Sequence, residues 1–330
     1  MSAVVTSIIN LKGGVGKSTL TMMLGEFLAF RHSQNVLLID MDAQANLSYC
    51  MLPESEIRRQ ESEERTTYDL FRKALKSEAL DINEFIAQPP LIVSNVARSG
   101  MLQPRTDIHM VVSTPSVAQL DEDLLELWDK NKPMPHRIRE TLVDALKPAL
   151  ENYSYTLIDC PPGLSIFSSA ALMASDYFIS PVIPEPLSLQ GVELVKRRVI
   201  ELRNRLGSKA EFKGVMLNIV KHYRNTHSNV SEYVYTSGMS DYFPFQYWLP
   251  DNERLRTLGE FDPDVKGGWA MGVDRKFPDL HHKYAVSHRL KNPSNGALSR
   301  LNEEGVYYRL EDRIGHLVEE FRERCAPTKP

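Results

Sequence analysis

Short unbroken apolar runs alternate along the chain with longer stretches whose apolar residues recur every three or four positions. The runs are Val4–Asn10, Val36–Asp40, Ile108–Val112, Tyr155–Asp159, Tyr177–Val182 and Val215–Val220. Their length and continuity predict strands buried on both faces, as in the interior of a parallel sheet. Between them, Ser18–Arg31, Val117–Lys130, His136–Leu150, Ile166–Ala174 and Leu187–Leu206 carry the spacing of amphipathic helices. Strands alternating with helices of this length form right-handed βαβ units. The expected class is therefore α/β, with a doubly wound, mostly parallel sheet and helices on both of its faces.

Two segments interrupt the pattern. Pro53–Arg65 is dense in charge and reads as either a solvated helix or a mobile loop. The stretch from Gly259 to Arg300 is rich in Gly, Pro, His and Asp and has little periodicity, as in an irregular insertion. A last amphipathic helix follows over Glu304–Arg324. The expected organisation is one domain over residues 1–256, an insertion over 257–300, and a segment over 301–330 whose helix packs on that domain.

Composition adds limits. The 330 residues are 42% hydrophobic and 25% charged, close to an ordinary globular protein. A net charge of −4 argues against a nucleic-acid coat protein but leaves room for a local basic face. One stretch supplies such a face: from Lys196 to Arg224 nine residues are basic and two, Glu201 and Glu211, are acidic. Three scattered cysteines, with no C-x-x-C pair, suggest neither a disulfide framework nor a zinc or iron–sulfur site. No leader pattern and no apolar stretch of membrane-spanning length is visible, so a cytoplasmic location is expected.

Directly after the first run stands Lys12-Gly13-Gly14-Val15-Gly16-Lys17-Ser18-Thr19, and a helical pattern follows it. This is the strand–loop–helix setting of a phosphate-binding loop. Gly13, Gly14 and Gly16, with Val15 between them, let the backbone curl so that its N–H groups face inward. Lys17 offers a cation to the β and γ phosphates, and Ser18 a hydroxyl to Mg²⁺. The helix that begins around Thr19 adds its N-terminal dipole. Two further runs end in carboxylates: Asp40 and Asp42 follow the second, and Asp159 closes the fourth ahead of Pro161-Pro162-Gly163. Ligands of open α/β sheets bind at the carboxyl ends of strands. An aspartate there is placed to hold Mg²⁺ directly or through water.

A second lysine at the head of the loop, with Leu11 where the general motif has its first glycine, resembles the deviant Walker A motif of the ParA/MinD family. The resemblance extends over roughly residues 1–256. It implies Mg²⁺-dependent ATP hydrolysis by a homodimer in which two ATP-bound subunits sandwich their nucleotides. Lys12 matches the family's signature lysine, which reaches the partner's phosphates and neutralises charge on the transferring phosphoryl group. Asp42 matches the second aspartate of the family's D-x-D-x-x-x-N segment, which orients the attacking water. Asp40 then supports Mg²⁺ through its hydration shell. The implied catalytic residues are Lys12, Lys17 and Asp42, and the implied metal residues Ser18, Asp40 and Asp159. Asn218 and Pro250 match positions beside the adenine, although a strand-end Asn is as often a turn former as a ligand.

The segment Pro184–Gly191 resembles ParA proteins in particular. That likeness implies an ATP-bound dimer that binds DNA without sequence preference and segregates or positions plasmid, chromosome or other cargo. It also implies an adaptor protein that stimulates turnover, and a place on the nucleoid. Lys196, Arg197, Arg198, Arg203 and Arg254 are the expected DNA contacts, a solvated helix face being the other reading of the same residues. The last helix carries Glu303, Glu304, Glu311, Asp312, Glu319, Glu320 and Glu323, which an anionic bilayer would repel, so no membrane partner is expected. The alternative function is a metabolic or regulatory enzyme on the same scaffold, acting on a small substrate or a secretion apparatus.

Overall fold

The computed structural model describes residues 3–52, 54–76, 78, 80–91, 103–104, 107–120, 123, 143–145, 152–221, 223–252, 290–291, 306–307 and 310–326. Seven strands form the main sheet: β1 (Val4–Ile8), β2 (Val36–Asp40), β3 (Ile86–Ala87), β4 (Ile108–Val111), β5 (Tyr155–Asp159), β6 (Tyr177–Val182) and β7 (Glu211–Leu217). Their order is β3-β4-β2-β5-β1-β6-β7. Every pairing is parallel except that of β3 with β4, at the edge. The expected α/β architecture is thus present.

The interior strands are apolar at successive positions because both faces are covered. In β2, Val36 and Leu38 enter one core layer, while Leu37 and Ile39 enter the other. The first layer is closed by α1 (Lys17–His32), α2 (Asn46–Met51) and the last helix, Leu310–Arg324. The second is closed by α4 (Thr67–Leu75), α5 (Ile166–Ala174) and α6 (Pro186–Leu206). A third cluster beyond β7 joins Val192 of α6 to Val234 of α7 (Asn225–Tyr235) and to Trp248.

The charge-dense segment forms helix α3 (Glu54–Ser62). Arg58 pairs with Glu54 and Arg59 with Glu56 one turn away, while Ile57 is buried. Strand β7 starts four residues earlier than the apolar run and ends three earlier. Its first positions, Glu211 and Lys213, face water at least in part and hide the strand from a purely apolar pattern. It stops where Ile219 turns to a positive φ of 53°. Beside that turn, Val220 bridges Pro250.

The last helix, numbered α8 here, buries Ile314, Leu317, Val318 and Phe321 against α1 and the sheet. Glu320 accepts the Gln246 N–H at 2.8 Å, and Arg324 donates to the carbonyls of Lys213 at 3.0 Å and Pro244 at 2.7 Å. The stretch expected as a helix from Val117 opens as a 3₁₀ turn, Pro115–Gln119. Most of its remainder, nearly all of His136–Leu150, most of 257–300 and Arg254 lie outside the described residues. Among the described residues, no helix is long and apolar enough to cross a membrane.

Candidate nucleotide site

Strand register gathers the candidate residues. Ile8, the last residue of β1, is level with Asp159 of β5, and Asp40 of β2 is level with Asp159 from the other side. The loop leaving β1 and the two carboxylates therefore emerge at one end of the sheet. Gly16 precedes α1 with a φ of 85°, a left-handed conformation that costs glycine little. A Cβ there would stand 2.2 Å from Asn218 Nδ2, so a side chain is excluded by space as well. At Gly13 and Gly14, both exposed, a Cβ would meet nothing within 4 Å. Lys17 is 6% exposed. Among the described residues, its ammonium donates only to the Lys12 carbonyl, at 3.5 Å. Ser18 and Thr19, partly exposed, complete the first turn of α1.

Asp159 carries the clearest demand for a ligand. Both of its carboxylate oxygens are buried and, among the described residues, have no hydrogen-bond partner. Burial raises its pKa well above the ordinary carboxylate value, and Asp40 raises it further; the Ser18 hydroxyl and the Lys17 ammonium pull it back. A buried acid without a partner is costly unless a cation or donor meets it. The glycine loop, the buried ammonium and this carboxylate together fit a polyphosphate with Mg²⁺. Ser18 and Asp159 would hold the metal, and Lys17 with the loop amides would hold the phosphates. Among the described residues no three His, Cys, Asp or Glu gather as a cage.

Asp40 and Asp42 play different parts. Asp40 Oδ2 accepts from Ser48 N at 2.9 Å and Ser48 Oγ at 2.8 Å, and Oδ1 accepts from Asp42 N at 3.1 Å. Burial nonetheless pushes its pKa up to about 7, outweighing those bonds. Asp42 Oδ1 accepts the Gln44 N–H at 3.0 Å, and the Asp42 carbonyl accepts from Ser113 Oγ at 2.7 Å. Thr67 Oγ1 donates to the Asp40 carbonyl at 2.6 Å. Asp40 is thus the anchor of a buried hydroxyl network that fixes the loop carrying Asp42. The sequence reading missed Ser48, Thr67 and Ser113; their signal is faint, since each is a short polar residue beside an apolar segment.

Just past the end of β7, Asn218 Nδ2 donates to the Val15 carbonyl at 2.9 Å, and its Oδ1 accepts the Ile219 N–H at 2.9 Å. Its amide therefore braces the phosphate loop. Pro250 lies beside it through the Val220 bridge, so the two candidate adenine positions share one corner.

The basic residues of α6 are not brought to one face. Lys196 donates to Glu193 at 3.2 Å and to the Asp241 carbonyl at 3.0 Å, on the side of β7. Arg198 points the other way, to Ser169 of α5 at 3.1 Å and Glu201 at 2.7 Å. Arg203 donates to the Ala210 carbonyl at 2.9 Å. Arg197 is exposed.

A family described as AAA domain matches residues 3–212. Two uncharacterized proteins of Mycobacterium tuberculosis are 30% identical over 216 residues, 65% of this chain. The match spans 58% of those relatives' own length. The chromosome partitioning protein ParA of Caulobacter vibrioides is also 30% identical, over 65% of this chain and 69% of its own. An ATP complex of McdA from Cyanothece superposes with a TM-score of 0.62 at 16% identity, covering 97% of this chain and 96% of that one, a likeness of fold. The matched residues include the phosphate loop and all three carboxylates of the site, and this chain belongs to the ParA/MinD-type P-loop ATPases.

Proposed function

We propose that the protein binds ATP with Mg²⁺ at the carboxyl end of β1 and β5 and hydrolyses it as a sandwich homodimer. Asp159, with two buried oxygens unmet among the described residues, is the observation that carries this reading. In the proposed reaction water attacks the γ-phosphorus and the bond to the β-phosphate oxygen breaks, releasing ADP and phosphate. Asp42 orients the water, Lys17 holds the β and γ oxygens, and the partner's copy of Lys12 neutralises charge as it shifts to the leaving oxygen. Bound Mg²⁺ supplies further neutralisation of the phosphates. Asp40 serves by fixing the Asp42 loop, and Asn218 and Pro250 flank the base.

The dimer is proposed to work as ParA-type partitioning proteins do. It binds DNA without sequence preference, positions DNA or another cargo on the nucleoid in the cytoplasm, and is reset by an adaptor that speeds hydrolysis. The relationship to the Caulobacter partitioning protein supports this role. Two subunits double the phosphate contacts of one and make the second set effectively intramolecular. ATP can thereby gate DNA binding without touching DNA. The test is a mobility shift of non-specific duplex DNA. Retardation with ATP and none with ADP is expected. Equal behaviour with both nucleotides overturns the partitioning role and favours a metabolic or regulatory enzyme of the same fold.

A further inference from the structure

Lys12 is fixed at both ends, its backbone by Asn10 and its ammonium by Glu185, 173 positions away. Its backbone N–H donates to Asn10 Oδ1 at 3.1 Å. Asn10 Nδ2 donates in turn to the carbonyls of Pro181 at 2.9 Å and Ser188 at 3.3 Å. Gly191 of α6 closes over this amide, since a Cβ there would stand 2.4 Å from Asn10 Oδ1. The backbone of Lys12 is therefore tied to the start of α6. Its ammonium donates to Glu185 and forms an ion pair with it.

Glu185 is the N-cap residue of α6, yet its side chain makes no capping bond to its own helix. It turns instead between Lys12 and His227 of α7, whose Nε2 lies 3.7 Å from its second oxygen. His227 is 1% exposed, and its Nδ1 accepts the Lys221 N–H at 3.1 Å. The neutral ring therefore carries its proton on Nε2, toward Glu185. Lys12 holds the Glu185 carboxyl below its ordinary pKa, so Glu185 is ionised at neutral pH.

We propose that Glu185, backed by His227, is a positioning residue that stores the Lys12 ammonium on its own subunit, so that association exchanges this ion pair for the partner's phosphates. The inference rests on the role in trans proposed above for Lys12. Because the backbone is pinned, the exchange is a swing of the four-carbon stem alone. The pair is 30% and 32% exposed, and such pairs hold by about fivefold or less in an equilibrium constant. That is strong enough to keep a second cation away from Lys17 and weak enough to yield to a polyphosphate.

The test uses the full chain and the variants Glu185→Gln and Glu185→Asp. Reductive methylation read by peptide mass spectrometry reports Lys12 reactivity without nucleotide, and sedimentation reports association with ATP. Glu185→Gln should raise Lys12 labelling and strengthen ATP-dependent association about two- to fivefold, while Glu185→Asp returns both toward wild type. Unchanged labelling overturns the storage of Lys12. Association unchanged or weakened by Glu185→Gln, in a wild type that does associate, overturns the exchange. A wild type that fails to associate with ATP overturns the trans role and the exchange together, and labelling alone then decides whether Glu185 holds Lys12.

Discussion

At the carboxyl end of the sheet, among the described residues, Asp159 keeps two buried oxygens unpartnered and Lys17 reaches only a distant carbonyl. On the flank of α6, by contrast, Lys196, Arg198 and Arg203 all have partners within the chain. Both regions are rich in charge, but among the described residues the first leaves a buried carboxylate without a partner, whereas these cations of α6 are paired. A buried polar group without a partner costs free energy that a ligand can return. A solvated cation already paired to its neighbours makes no such demand. The contrast explains why the nucleotide site is proposed residue by residue, whereas a DNA surface is proposed only for the more exposed cations of α6.

The strongest test of the first region is Asp42→Ala. Phosphate release should fall about 10²–10⁴-fold, the usual worth of a positioned base or water-orienting group, while ATP stays bound and the dimer accumulates. Near-normal turnover would move the water-orienting role to another side chain. Next comes Lys17→Ala, which leaves buried phosphate charge unpaired at a cost of about 2–5 kcal/mol, on the order of 30-fold or more in nucleotide Kd by calorimetry. Lys12→Ala should change monomer affinity within about fivefold, as for an exposed ion pair, yet depress association and turnover. Equal loss of affinity in both variants would remove the distinction between the two lysines.

The smallest effects separate structural from more exposed cations on α6. Replacing Arg197 and Arg205 by Glu should lower the slope of log K against log[salt] by about 0.9 per lost phosphate contact, with thermal stability unchanged. Arg205 is 74% exposed despite its pairing with Glu201. Arg198→Ala should do the reverse, destabilising the fold by about 1 kcal/mol through its lost bonds to Ser169, with the salt slope intact. Unaltered DNA affinity in the first pair would place the basic surface elsewhere.

The parts of the molecule legible in the sequence are those whose chemistry is contiguous. The phosphate loop occupies one uninterrupted segment, and β2, β5 and β6 coincide with their apolar runs because burial on both faces keeps them largely apolar, with Thr156 and Ser180 as buried exceptions. Strand β7 was legible only in its interior half, since its outer positions are exposed at the sheet's edge. The hydroxyl network around Asp40 joins Ser48, Thr67 and Ser113, which no spacing rule connects; Ser113 and Asp42 are 71 positions apart. The pairing of Lys12 with Glu185 spans 173 positions, and His227 reads in sequence as one histidine among nine. Such contacts exist only once the sheet order is known. The spread of the basic run over opposite sides of α6 follows from helical geometry, because neighbouring residues differ by about 100°.

The central position of β1 also sets a timetable for synthesis. The strand leading to the phosphate loop is made first, but its two neighbours begin at Tyr155 and Tyr177. At roughly 5–20 residues per second, the ribosome takes about 7–30 s to bring the first of them. Through that interval Val4, Val5 and Ile8 have no sheet to enter, and Asp159 has not been made. ATP therefore cannot help the first half of the chain to fold. A product truncated near residue 150 would carry the whole motif and still lack the site.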